Sequence, residues 1–190
     1  MEELRKMNIP VLLITWRREN TLDLQIDILR DAKIKKLFIF NDGPKNLNQK
    51  TELSNFRKKI RSAVDWECEV FFNFQQKNLG VKHGPKKAID WFFMSVDEGI
   101  ILEDDVMPHL SFFNFCRVLL TKYSSDDRIG LISSITNNKN IATYGGTYGY
   151  SRFPHIWGWA TWKKEWLTYS DNFEFWETIV TIISFVSLAI

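Results

Sequence analysis

The chain has 190 residues, of which 45% are apolar and 25% charged, and its formal net charge is +2. That composition belongs to a globular domain long enough to bury a core and excludes a disordered segment. So small a charge, with no basic stretch interleaved with aromatics, excludes nucleic acid as a partner. Cys68 and Cys116 sit in apolar surroundings without Cys-x-x-Cys spacing, so free thiols in a reducing compartment are expected. The first residues, Met1 to Lys6, lack the apolar stretch of a signal peptide, which makes a cytoplasmic location the default expectation.

In chain order, Ile9 to Ile14 reads as a buried strand. The polar Thr15 to Asn20 follows it, and Asn20 or Thr21 is placed to cap a helix with Leu22, Ile26, Leu29 and Ala32 on its apolar face. Leu37 to Phe40 is a second buried strand, closed by the turn signal Asn41-Asp42-Gly43-Pro44. A strand, a helix and a strand in so short a span form a βαβ unit with parallel strands. Leu53, Phe56, Ile60 and Val64 mark a second helix face, and Val70 to Phe72 a third strand. After the loop Asn78 to Gly84, Pro85 suits the first turn of a helix that runs to Phe93 with Ile89, Phe92 and Val96 inward. Pro108 and Ser111 open a helix from Phe112 to Tyr123, and Ile129 to Ser133 is a further strand. These alternations predict an α/β fold, a mostly parallel sheet with helices on both faces.

The most informative run is Ile100-Ile101-Leu102-Glu103-Asp104-Asp105-Val106. A buried strand of an α/β sheet is a continuous apolar run, and ligands of such sheets collect at the carboxyl ends of strands. Three adjacent carboxylates there are costly to keep ionised unless a cation or hydrogen-bond donors face them, and oxygen ligands of this kind suit Mg²⁺ or Mn²⁺. Beyond residue 140, Tyr144 to Tyr150 and Phe153 to Trp162 crowd aromatics and glycines together, which fits either a sugar or base platform or a tightly packed corner of the core. Ile179 to Ile190 is uncharged but shorter than the roughly twenty residues of a membrane span, so only peripheral membrane association stays open. An apolar run without cap or polar tail reads as an interrupted domain.

Taken in order, Pro10 to Arg18, Phe40 to Gly43, Ile101 to Asp105 and His155 to Trp162 resemble the nucleotide-sugar glycosyltransferases of the GT-A fold. The nearest likeness is to N-acetylglucosaminyltransferase I and bacterial glycosyltransferase-family-2-like enzymes, and it covers roughly residues 8 to 177. The resemblance implies a donor-binding part over 8–135, an acceptor-side part over 136–177 and a tail over 178–190 that marks a truncation. It implies that Thr15 and Arg18 contact the nucleotide, that Asp42 with Gly43 reads its base, and that Lys82 or His83 adds positive charge. Asp105 is then the implied metal ligand, with Glu103 and Asp104 near the sugar and ribose. His155, Trp157, Gly158 and Trp159 are implied on the acceptor side.

The implied activity is inverting transfer of a hexose or N-acetylhexosamine from a nucleotide diphosphate sugar, UDP-linked by preference, to a glycan or lipid-linked acceptor, with Mn²⁺ or Mg²⁺ as cofactor. The family's catalytic aspartate lies beyond the equivalent of Trp176. Asp171, Glu174 and Glu177 are the only late acids here, and none matches that motif. A nucleotide-sugar-binding fragment without catalysis is therefore the alternative. A nucleotidyltransferase is less well matched, because Thr15 to Asn20 lacks the glycines of a phosphate loop. The donor sugar, the acceptor and the oligomeric state are not fixed by the sequence.

Overall fold

The computed structural model describes residues 9–134, 148–152 and 155–170. The elements run β1 (Val11–Thr15), α1 (Glu19–Asp31), β2 (Lys36–Asn41), α2 (Gln49–Ala63), β3 (Glu69–Phe74), α3 (Gly80–Phe93), β4 (Glu98–Glu103), α4 (Leu110–Tyr123), β5 (Ile132–Ser133), β6 (Trp159–Trp162) and the single turn α5 (Lys163–Trp166). They build one six-stranded sheet in the order β3-β2-β1-β4-β6-β5. The first four are parallel, β6 is antiparallel to β4, and β5 is antiparallel to β6. The fold is the expected α/β class.

The apolar runs dictate which strands are central. Val11, Leu12 and Leu13 of β1 and Leu37 to Phe40 of β2 have no solvent exposure, because both faces of these strands are covered. Alternate residues divide the core. Val11, Leu13, Leu37, Ile39, Ile100 and Leu102 meet α1, α2 and α4 on one face. Leu12, Phe38, Phe40 and Ile101 meet α3 on the other, where Phe92 sets its ring edge-on to Phe38 at 5.0 Å. The chain steps outward from β1 to β2 to β3, then crosses to the opposite face through α3 and re-enters beside β1 as β4. The strand order therefore reverses between β1 and β4, the place where open α/β sheets bind ligands.

Three local expectations shift. Helix α1 begins at Glu19 with no side-chain cap, and Thr21 lies inside it with its hydroxyl directed elsewhere. Helix α3 begins at Gly80, leaving Pro85 inside it, because a carboxylate from a distant loop caps the backbone N–H groups that precede Pro85. The aromatic stretch ending at Trp162 includes a strand, β6, all four residues of which are buried. A short strand covered on both faces shows no alternation of polar and apolar residues, so periodicity passes over it. Cys116 is fully buried and Cys68 half-buried, both are free, and burial pushes the Cys68 thiol up to about 11.

Gly99 shows how closely β4 is packed. A Cβ there would stand 2.3 Å from Cζ of Phe92 and 2.9 Å from the Pro10 carbonyl oxygen. That carbonyl already accepts from the Ile100 N–H, so neither neighbour yields freely. Gly99→Ala is expected to lower stability by about 2–3 kcal/mol, as overpacking a filled core does. Urea unfolding measures it, and a loss below about 0.5 kcal/mol would mean that Phe92 rotates away without penalty.

Candidate functional site

The parallel register sets Glu103 opposite Ile14 and Thr15 opposite Asn41, so the ends of β4, β1 and β2 form one rim. On it the acidic segment meets the loop after β1. The Trp16 N–H donates to Oδ2 of Asp104 at 3.2 Å, and Arg18 reaches Oδ1 of Asp104 at 3.4 Å and Oδ2 of Asp105 at 3.0 Å. From α1 the Thr21 hydroxyl donates to the Asp104 carbonyl at 2.6 Å, and the buried Gln25 amide donates to the carbonyls of Glu103 and Val106 at 2.7 and 2.9 Å. The turn carrying the acids is thus held by α1 through its backbone, which frees its side chains for other partners.

Three carboxylates face one guanidinium here. Burial raises the Glu103 carboxyl above its ordinary value, with Asp105 and Asp104 adding to the rise and Arg18 opposing it. Burial raises Asp104 as well, against Arg18 and the Trp16 N–H. Glu103 receives no hydrogen bond among the described residues, so its charge is partly desolvated and answered only by the field of Arg18. Among those residues no group of three or more His, Cys, Asp and Glu side chains converges to hold a metal. The chemistry of the donor set nonetheless fits a divalent cation that completes its shell with substrate phosphates and water, since Mg²⁺ commonly takes only one or two carboxylates from the protein.

Across the rim, Asp42 is an anchor. Its Oδ1 accepts from the N–H groups of Gly43 and Leu79 at 2.7 and 2.9 Å, and its Oδ2 accepts from the Asn78 amide and the Gly80 N–H at 3.0 and 3.1 Å. A carboxylate offers about four acceptor positions, and all are in use, so a base would have to displace one of these donors. Gly43 is needed for the same closure: a Cβ would lie 2.3 Å from the Lys77 carbonyl carbon. Thr15 is buried and its hydroxyl donates to the Phe40 carbonyl while accepting from the Asn41 amide, which places it behind the rim. Arg57, unflagged by any sequence motif, donates to Oδ1 of Asn41 at 2.7 Å and to the carbonyls of Asp42 and Gln75 at 3.1 and 2.7 Å. Lys82 and His83 are exposed on α3 and form no hydrogen bond or ion pair with the acidic segment.

Strand β6 brings the aromatic segment to the same rim. Ile101 stands opposite Trp159, and Gly158, with φ of +74°, packs where a Cβ would lie 3.0 Å from Val106 and 3.8 Å from Leu102. Trp157 is exposed at 57%, whereas Trp159 is 7% exposed and packs in the α3 core. Of this aromatic pair only Trp157 is open to a ligand. His155 is exposed, and its carbonyl accepts from the Ser133 hydroxyl. Asp171, Glu174 and Glu177 and the 178–190 tail lie outside the described residues.

The sequence matches no protein-family model. It matches no curated protein either. Among solved structures, the chain is similar to a mannosyltransferase from Pyrobaculum calidifontis in complex with GDP-Man and Mn²⁺, at 9% identity and a TM-score of 0.43 over 68% of this chain and 36% of that one. It is also similar to a UDP-glucose pyrophosphorylase complexed with UDP-glucose, at 13% identity and 0.36 over 61% and 55% of the two chains. A third likeness is to a 4-diphosphocytidyl-2C-methyl-D-erythritol synthase from Anaerococcus prevotii, at 12% identity and 0.38 over 89% and 84%. The chain thus spans well under two thirds of the first two proteins.

Two outcomes follow from the rim. Asp42→Ala strips four donors of their acceptor and is expected to cost about 2–4 kcal/mol in thermal or urea unfolding, since each unanswered donor or lost helix cap counts for about 1 kcal/mol or more. For Glu103 the sign is opposite. Its folded pKa is raised, so the folded chain binds more protons than the unfolded one between the ordinary glutamate pKa and the raised value, and stability falls as pH rises through that window. Glu103→Gln should remove that fall and unfold later than the parent at neutral pH, and equal melting temperatures at pH 7 would refute it.

Proposed function

We propose that the chain binds a nucleotide diphosphate sugar, UDP-linked by preference, at the rim between β1 and β4 and transfers the sugar to a glycan or lipid-linked acceptor. The observation that carries this is the half-buried pair Glu103 and Asp104, with the exposed Asp105 next to it, at the point where strand order reverses, with more negative charge than Arg18 neutralises. A carboxylate cluster answered only in part calls for a cation. A diphosphate needs one too, because it leaves well only when its developing negative charge is neutralised.

In this reading Asp105, with Asp104 beside it, holds a Mn²⁺ or Mg²⁺ ion, which when bound supplies Lewis-acid stabilisation of the departing diphosphate. Arg18, shared between the two aspartates, is the cation within reach of phosphate oxygens. Asp42 positions the loop that carries Asn78 and Gly80 at the base end instead of meeting the base directly. Trp157 offers an aromatic face to the acceptor. The general base that an inverting transfer requires is sought among Asp171, Glu174 and Glu177 by single replacement.

Calorimetry with UDP in Mn²⁺ and in chelator tests the reading. Asp105→Asn should weaken Mn²⁺-supported binding by about 1.4 kcal/mol or more, a factor of ten. Affinity unchanged by chelator or by the substitution would overturn the metal role, and equal competition by ADP and GDP would overturn the preference for uridine.

A further inference from the structure

Beside the rim, and sharing no residue with the acidic segment or the Trp16 to Arg18 loop, lies a cavity of about 470 Å³ between α2 and β3. Its walls include Lys50, Arg57, Lys58 and Arg61 with Leu53 and Phe74, and contain no acid. Helix α2 as a whole carries five cations against the single Glu52. Two neighbouring cations are matched: Lys59, next to Lys58, pairs with Asp23 at 2.7 Å, and Arg17 takes Glu52. Among the described residues Lys50, Lys58 and Arg61 have no carboxylate within ion-pair distance.

The guanidinium groups are also held in place. Arg61 lies over Phe72 and Phe74 at 4.5 and 4.8 Å, and Arg57 lies over Phe74 at 5.1 Å. Arg57 spends Nε and Nη2 on backbone and Asn41 oxygens, which fixes its plane and leaves Nη1 without a partner among the described residues. An exposed cation on a flexible stem is ordinary. Four that converge on one cavity, two of them fixed against aromatic rings, form a preorganised anion site.

We propose that this groove binds an organic phosphate, a phosphate ester whose body rests on the part-exposed Phe74 while its oxygens meet Arg61, Lys58 and Lys50. Phosphate is favoured over carboxylate because it brings two negative charges and three acceptor oxygens to several separated donors. An ester is favoured over the free ion because the volume falls in the range of small-molecule pockets and part of the wall is apolar. The inference is independent of the donor reading, because it requires no divalent cation.

The test is calorimetry on the full chain in chelator, which silences the metal-supported site, with phenyl phosphate and inorganic phosphate as soluble probes. Phosphatidylcholine vesicles with and without phosphatidic acid present the same group as a lipid headgroup. Phenyl phosphate should bind saturably and more tightly than inorganic phosphate, and Lys58→Glu and Arg61→Ala should each weaken it about tenfold, as loss of a charge-assisted hydrogen bond does. Lys58 is exposed, so circular dichroism of Lys58→Glu should match the parent and separate lost binding from lost folding. Binding confined to phosphatidic acid vesicles and abolished by Lys58→Glu would support the phosphate site and assign its source as a headgroup. Binding indifferent to both substitutions, or absent for every probe at millimolar concentration, would overturn the proposal.

Discussion

The parallel pairing of β1 with β4, from Val11 opposite Ile100 to Ile14 opposite Glu103, is the constraint on which the rest of the molecule depends. It joins residues nearly ninety positions apart, and it can form only if the chain crosses the sheet through α3 after completing β3. Once formed, it sets the last residue of β4 level with the last residues of β1 and so lays the acidic turn against Trp16 and Arg18. The apolar contacts on both faces of β1 supply the driving force. The polar rim is positioned by them.

The rim shows a division between what is satisfied and what is left open. Backbone carbonyls of the acidic turn are answered by Thr21 and Gln25, and Asp42 is saturated by four donors. The carboxylates of Glu103, Asp104 and Asp105 are answered only in part. The partial burial of Glu103 and Asp104 without full compensation is the kind of local inconsistency that sites carry and cores do not.

Much of this was legible in the sequence, for identifiable reasons. The unbroken apolar runs of β1, β2 and β4 announced buried parallel strands, and the adjacent acids after Leu102 announced the rim, because both signals lie in consecutive residues. What stayed hidden depends on distant partners. Asp42 reads as a turn former until Leu79 and Gly80 are brought to it, and α3 accordingly starts ahead of Pro85. Arg57 sits on the polar side of an amphipathic helix, and nothing in its neighbours says that it meets three carbonyls. Trp159 and Trp157 look alike in sequence, but only Trp159 belongs to β6, and Gly158, with its φ of +74°, breaks the extended path before it, so one is core and the other lies outside.

Strand β3 closes one side of the sheet, and among the described residues its outer backbone groups have no partner strand. Such an edge, rich in phenylalanine, invites a second chain to add to it. Here Arg57 and Arg61 cover Phe72 and Phe74 on one face, and Lys36 stands 5.3 Å from the ring of Phe71 on the other, so an incoming strand would have to bury positive charge on both sides. The cations over the aromatic rings therefore also act as gatekeepers against self-association, and an anion that neutralised them would loosen that protection at the sheet's most vulnerable border.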